Sequence, residues 1–299
     1  MKITITGSLG HISKPLTQEL LANGHAVTVI SSKAEKKEEI EAMGAFAAIG
    51  SLHDREFLAQ SFNGSEAVYT MVPPGNYMDH NLDLLAYYTH IGQNYFYAIK
   101  QAGVSRVVNL STIGGNLSSG NGILVGAHQV EGILNELPEE VSLTHMRPNS
   151  FYYNLLGYIP MIKSSGVIAA NYGGEDIIPW VSPIDIASAV SQELCSSFKG
   201  RKARSVASED LSGNQTAEIL GAAIGMPALR WVVVSDEQTL EGLVSIGMNP
   251  KIAAGLVEMY AALHSGLLAQ DYYSNKPEQM GKVKMSDYAK EFAAAFNKI

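Results

Sequence analysis

Residues 2–31 read KITITGSLGHISKPLTQELLANGHAVTVIS, and this stretch decides the fold. A short β-branched run, KITIT at 2–6, leads into Gly7-Ser8-Leu9-Gly10-His11-Ile12-Ser13. A helical pattern over 12–23 follows and stops at Asn23-Gly24, and a second apolar run, AVTVI, occupies 26–30. Strand, glycine loop, helix and strand in that order are the setting of a dinucleotide cradle. Gly7 permits the tight turn. Gly10 lets the backbone approach a pyrophosphate, and the helix behind it points free N–H groups and a positive dipole end at the anion. Ser13 stands where a third glycine is commoner, and its small side chain keeps the helix close to the strand. No Gly-Lys-Ser/Thr follows at the spacing of a Walker loop.

The end of the second strand bears on which dinucleotide is held. An NAD-type site places Asp or Glu there for the ribose hydroxyls. Here the strand runs into Ser31-Ser32-Lys33, with no carboxylate before Glu35. Two hydroxyls and an ammonium suit a 2′-phosphate, which favours NADP(H) over NAD(H). The same residues also read as a solvated helix start.

Outward from this unit the alternation continues. A charged helix is expected over 34–43, a strand at 45–49, a helix at 53–62 and a strand at 66–72 stopped by Pro73-Pro74-Gly75. A long helix over 77–102 ends at Gly103, and strands at 105–111 and 141–147 enclose a helix at 125–136. This rhythm predicts an α/β, doubly wound parallel-sheet Rossmann fold. After Pro148 it breaks: residues 151–175 mix aromatics and glycines, and helices at 184–198, 214–225, 236–246 and 250–270 flank one strand at 230–235. The expected organisation is a dinucleotide-binding domain over 1–150, with about 176–200 packing back on it. A smaller, mostly helical substrate lobe takes 151–299.

Composition narrows the function. The 299 residues carry a net charge of −8, and no Lys/Arg run provides a nucleic-acid or anionic-lipid surface. The single cysteine, Cys195, forms no internal disulfide, and no Cys/His spacing suggests a metal. The opening residues do not read as a signal peptide, and no apolar run reaches the roughly 18 residues of a membrane span. A cytoplasmic protein is expected, with a small-molecule substrate, neither nucleic acid nor membrane as partner, and a homodimer as one assembly the sequence allows.

Several segments together carry a resemblance. TGSLGHIS, MGAFAAIGSLHDREFLAQSFNGSEAVYTMVPP (43–74), AGVSRVVNLSTIG (102–114), HQVEGIL (128–134), SLTHMRPNSFYYNL (142–155) and PWVSPIDIASAV (179–190) fall in one order over about two thirds of the chain. The chain resembles the NmrA-like group of atypical short-chain dehydrogenases. That resemblance implies NAD(P) on the carboxyl ends of the strands, with the loop from Gly7 through Ser8, Leu9, Gly10 and His11 to Ile12 along the pyrophosphate. It implies Met71, Val72 and Pro73 on the adenosine side, Ser111 and Thr112 near the nicotinamide, and Asn149, Phe151 and Tyr152 facing the cleft. Two positions depart from the family's pattern: Gly50-Ser51 replaces a common Gly-Asp, and Ser31 replaces a common Arg.

Catalytic short-chain dehydrogenases use a Tyr with a Lys four residues later to lower its pKa. Between Ser111 and Arg147 this chain has neither residue type, and Ala127 falls at the Lys position. A Tyr272…Lys276 pair has the spacing, but it lies in the C-terminal lobe, and chance readily supplies such a pair. His128 is the remaining candidate proton donor; it also reads as an ordinary half-exposed helix residue. The aromatics at 151–153 read equally as cleft or core. Three functions stay open: a reductase of quinone-like or conjugated acceptors, an NADP(H)-sensing regulator with a protein partner, and, least supported, a sugar-nucleotide epimerase or dehydratase. A reductase calls for a closed apolar pocket, expected from Phe151, Tyr152 and Trp180.

Overall fold

The computed structural model describes residues 1–298. Its first half alternates β1 (Lys2–Ile5), α1 (Ser13–Ala22), β2 (Ala26–Ser31), α2 (Lys37–Ala42), β3 (Phe46–Ile49), α3 (Arg55–Phe62), β4 (Ala67–Thr70), α4 (Leu84–Ala102), β5 (Arg106–Leu110), α5 (Val125–Asn135) and β6 (Ser142–Pro148). The second half holds β7 (Ser150–Phe151), α6 (Ile159–Ser165), β8 (Val167–Ala170), β9 (Ile177–Val181), α7 (Pro183–Leu194), β10 (Arg201–Val206), β11 (Glu209–Ser212), α8 (Gly213–Ala223), β12 (Arg230–Val233), α9 (Asp236–Ser245), α10 (Pro250–His264), α11 (Gln270–Ser274) and α12 (Met285–Phe296).

Seven parallel strands form the main sheet in the order β10-β6-β5-β4-β1-β2-β3. Helices cover both faces, so strands such as AVYT in β4 are apolar on both sides and wholly buried. On one face Leu16 and Leu20 of α1, Ile40 of α2 and Ile186 and Val190 of α7 pack on Ile3, Ile5, Val29 and Val108. On the other, Leu58, Phe62, Ile91, Tyr95, Val130 and Leu134 from α3, α4 and α5 pack on Val68, Val107 and Leu143. The order reverses between β1 and β4, which opens a crevice at their carboxyl ends. No helix among the described residues is long and apolar enough to cross a membrane.

The second half has its own core of Tyr152, Leu155, Ile159, Trp180, Leu220, Trp231 and Phe292. Here the structure adds elements. Residues 151–175 contain two short strands and a helix, and β9 joins β7 and β11 in a separate three-stranded sheet. Helix α7 packs on α1 and on β4 and β5 of the main sheet, and Val181 at the end of β9 reaches the same core. β10 becomes the seventh strand of the main sheet; its Arg201, Lys202 and Arg204 are what an edge strand carries, and they hide it from a search for apolar runs. Helix α4 starts at Leu84 rather than 77. Asn76 and Asp79 accept from the N–H groups of Met78 and Asn81, and these local bonds keep 75–83 out of the helix until Asp83 caps it.

Candidate active site

The opening loop is built as its glycines require. Gly7 has φ +89°, and a Cβ there would stand 2.5 Å from Ser13 Oγ and 3.3 Å from the Met71 side chain. Ser13 Oγ turns back to donate to the Thr6 carbonyl at 2.8 Å, which is how a serine serves in a glycine's place. Gly10 is exposed at the mouth. Ile12 begins α1 without a side-chain cap, and Pro15 brings no N–H to its first turn. The Lys14 N–H is taken by the Gly10 carbonyl at 3.0 Å, so the end of the helix offers the Ile12 and Ser13 N–H groups and its positive dipole to an anion. Across the crevice the Met71 N–H donates to Thr6 Oγ1 at 3.0 Å and its carbonyl accepts from Tyr95 at 2.7 Å, fixing the turn into half-buried Val72 and Pro73.

The end of β2 divides its three polar residues. Ser31 is buried; its hydroxyl accepts from Ser8 Oγ at 2.9 Å and from the Lys33 N–H at 3.2 Å, so it ties the loop to β2 and cannot face a ribose phosphate. That corrects its assignment as a cofactor contact. Ser32 and Lys33 remain exposed. Lys14 and Lys36 both pair with Glu39, at 3.0 and 2.7 Å, and Lys36 first and Lys14 second hold that carboxyl below its ordinary range. Lys33 has no ion-pair partner among the described residues.

At the far end of the crevice Ser111 Oγ donates to Glu131 Oε1 at 2.5 Å. Arg147 grips the same carboxylate twice, Nε to Oε1 at 2.9 Å and Nη2 to Oε2 at 2.6 Å, and reaches Asp271 with Nη1 at 3.1 Å. Burial pushes the Glu131 carboxyl up, but the bonds from Arg147, with His145 and Ser111 adding, bring it below its ordinary range. This fork, absent from the sequence reading, orients Ser111 beside half-buried Thr112. Its trace in the sequence is an acid among the apolar positions of α5 and a cation near the end of β6. His128, one turn before Glu131, sets Nδ1 2.9 Å from the Gly115 carbonyl, so Nδ1 carries the hydrogen and Nε2 is free.

The residues after β6 separate in an instructive way. Asn149 is buried and its amide N–H donates to the Val206 carbonyl at 3.0 Å, tying β6 to β10; its Oδ1 has no partner. Half-buried Phe151 lies 5.1 Å from the ring of Tyr153, and Tyr153 stacks on His11 at 4.6 Å. Tyr152, the first residue of a 3-10 helix over Tyr152–Tyr158, points the opposite way. It is fully buried, bonds the Val283 carbonyl and stacks on Tyr288, 6.4 Å from equally buried Trp180. Tyr152 and Trp180 are therefore core of the second lobe and do not line the cleft. Tyr153, the third of the aromatics at 151–153 read as cleft or core, packs on the opening loop instead. Burial, with Tyr77 adding, pushes its phenol up to about 12, and Tyr88 is raised by burial and by Tyr77, Tyr87 and Tyr153.

The model of the NmrA-like family matches residues 1–272. The chain belongs to the NmrA-like family. It is 26% identical over 301 residues to an NAD(P)H azoreductase of Xenophilus azovorans, spanning 98% of this chain and 99% of that protein. Its fold matches the triphenylmethane reductase of Citrobacter sp. complexed with NADP(H), with TM-score 0.79, 19% identity and 97% and 99% of the two chains covered. It also matches an NADPH-dependent quinone oxidoreductase of Escherichia coli, with TM-score 0.77, 19% identity and 97% and 98% covered.

In this NmrA-like chain Tyr272 and Lys276 meet on one carboxylate, that of Asp210. Tyr272 donates to Asp210 Oδ1 at 2.9 Å and Lys276 to Asp210 Oδ2 at 2.6 Å, so the carboxylate separates the two groups. Burial and Asp210 raise the phenol, the reverse of what proton exchange at neutral pH requires.

Proposed function

We propose that the protein is an NAD(P)H-dependent reductase of a flat, quinone-like or conjugated acceptor, with NADP(H) preferred. The observation that carries it is the pairing of an uncapped helix end behind Gly7 and Gly10 with an aromatic wall in which Tyr153 stacks on His11 of that loop and lies beside Phe151. The kinship with an NAD(P)H azoreductase supports the same reading. Bound there, the dihydronicotinamide supplies the hydride.

The chain's own residues do the rest. Backbone at Gly7–Ile12 and the first turn of α1 hold the pyrophosphate, Met71, Val72 and Pro73 flank the adenosine side, and Ser32 and Lys33 meet the 2′-phosphate. Ser111, oriented by the Glu131–Arg147 fork, and Thr112 position the nicotinamide end. Phe151, Tyr153 and Tyr88 exclude bulk water and present flat apolar surface to the acceptor. An acceptor that becomes basic on reduction takes its proton from water or from the imidazolium form of His128, which carries a second hydrogen on Nε2 while Nδ1 stays on the Gly115 carbonyl.

The test is a fluorescence titration with NADPH and NADH, followed by oxidation with small quinones and an azo dye, repeated with Lys33→Ala. Turnover, with NADPH binding weakened about fivefold and NADH binding unchanged in the variant, is expected. Binding without turnover of any acceptor would replace this reading with an NADP(H)-sensing role. Failure to bind either nucleotide would sink both.

A further inference from the structure

Beside the tyrosine wall the chain forms a second concavity. Residues 80–85, which lead into α4, face Gly122–Gly126 at the start of α5 and one side of α10 across a groove of about 460 Å³. That volume falls within the range of small-molecule pockets. Its depth is apolar: Leu82, Leu84, Ile123 and Ile252 pack in one cluster with Tyr77. Exposed Leu85 and Ala254 carry the apolar surface toward the mouth. Lys251, Glu258 and Asp83 are exposed groups of mixed sign, so no single-sign field selects a charged ligand.

The groove adjoins the candidate site. Gly126 lines it, and a Cβ there would meet the Tyr88 ring at 2.7 Å. Tyr88 in turn feels the phenols of Tyr77 and Tyr153, and His128 follows Gly126 by two residues on α5. The opposite wall is fixed by one buried residue, Asn249. Its N–H donates to the Tyr77 carbonyl at 2.9 Å, its Nδ2 donates to the Asp79 carbonyl at 3.0 Å, and its Oδ1 caps α10 by accepting from the Lys251 N–H. The loop from 75 to 83 is thereby bound to the C-terminal lobe, and the groove is pre-formed.

Resting on the reductase reading, we infer that this groove binds a hydrocarbon arm carried by the acceptor whose reducible ring lies against Tyr153 and His128. The substrate class is then a quinone-like ring with an extended apolar substituent. Binding of the arm buries Leu82, Leu85, Ile123 and Ile252 against it and leaves the charged rim in water.

Ala254 supplies the test, because it is exposed on the groove side of α10 and lies outside the lobe's core. Ala254→Trp fills the groove, and Leu85→Trp does so from the other wall. Steady-state NADPH oxidation compares 2-methyl- and 2-decyl-1,4-benzoquinone, the same ring without and with an arm. The unmodified protein should show a KM roughly tenfold or more lower for the decyl compound, the effect of burying about two methylenes. Either tryptophan variant should abolish that advantage while leaving the methyl compound within about twofold. Equal effects on both quinones, or on neither, in a folded variant overturn the groove. Equilibrium dialysis of the decyl quinone without nucleotide separates the two readings. Binding weakened by the variants, with no turnover of either quinone, keeps the groove and removes the reductase; binding they do not weaken removes the groove whatever the turnover.

Discussion

Replacing Gly7 by alanine adds one methyl group at the tightest point of the opening loop. At φ +89° an L side chain costs about 1–2 kcal/mol in the backbone alone. The methyl also arrives 2.5 Å from Ser13 Oγ, which its 2.8 Å bond to the Thr6 carbonyl holds in place. To yield, Ser13 must give up that bond, at a cost of about 1–3 kcal/mol for a buried polar group left unpaired. Gly7→Ala should therefore destabilise the protein by about 2–5 kcal/mol. Ser13→Ala alone should cost about 1 kcal/mol for its lost hydrogen bond. In the double variant no hydroxyl is left to strike, so only the backbone cost and the Ser13 loss remain. The two substitutions should thus couple by about 1–3 kcal/mol in favour of the double variant. Urea denaturation of the four proteins without nucleotide measures the cycle, and NADPH titration of the same proteins should follow it, with affinity lost in Gly7→Ala and partly regained on adding Ser13→Ala. Additivity within about 0.5 kcal/mol would show that Ser13 is not the group for which Gly7 makes room.

Two further perturbations probe buried groups outside the loop. His145 sits in a row with Thr70 and Asn109 across β4, β5 and β6; Asn109 lies 3.2 Å from its Nδ1, and burial holds its pKa down at about 4. The unfolded chain gains a proton near the ordinary histidine value while the folded one does not, so stability should fall by about 2 kcal/mol from pH 7 to pH 5. His145→Asn should flatten that slope in urea denaturation at the two pH values; an unchanged slope would mean that His145 is not held neutral. Tyr272→Phe and Lys276→Met remove the Asp210 clip. Each should lower stability by about 1 kcal/mol and leave kcat within about twofold; a larger loss of kcat at unchanged stability would make the pair catalytic.

The alternation of strands and helices and the tight glycine turn at the start of the chain are legible in the sequence because their determinants are local. Everything that shapes the Gly7 turn lies within β1, α1 and β2, apart from the contact with Met71. The aromatic wall around Tyr153 is assembled the other way. Tyr88 comes from α4, His128 from α5, Tyr153 from the turn after β7, and Tyr77 from a loop whose position is set by Asn249, far along the chain. Whether 152 or 153 faces the cleft depends on where a two-residue strand begins, and no periodicity announces a strand that short. The Glu131–Arg147 fork closes only after β5, β6 and α5 have packed, and β10 is hidden by the charges that suit it to an edge. Tyr272 and Lys276 are the converse, a correct spacing whose chemistry is reversed by one carboxylate that only the fold brings near. The opening loop is thus written as a motif, whereas the wall around Tyr153 is written in how the second lobe docks. It follows that substitutions on α10, which touches no part of the opening loop, should redirect acceptor preference while leaving nucleotide affinity unchanged.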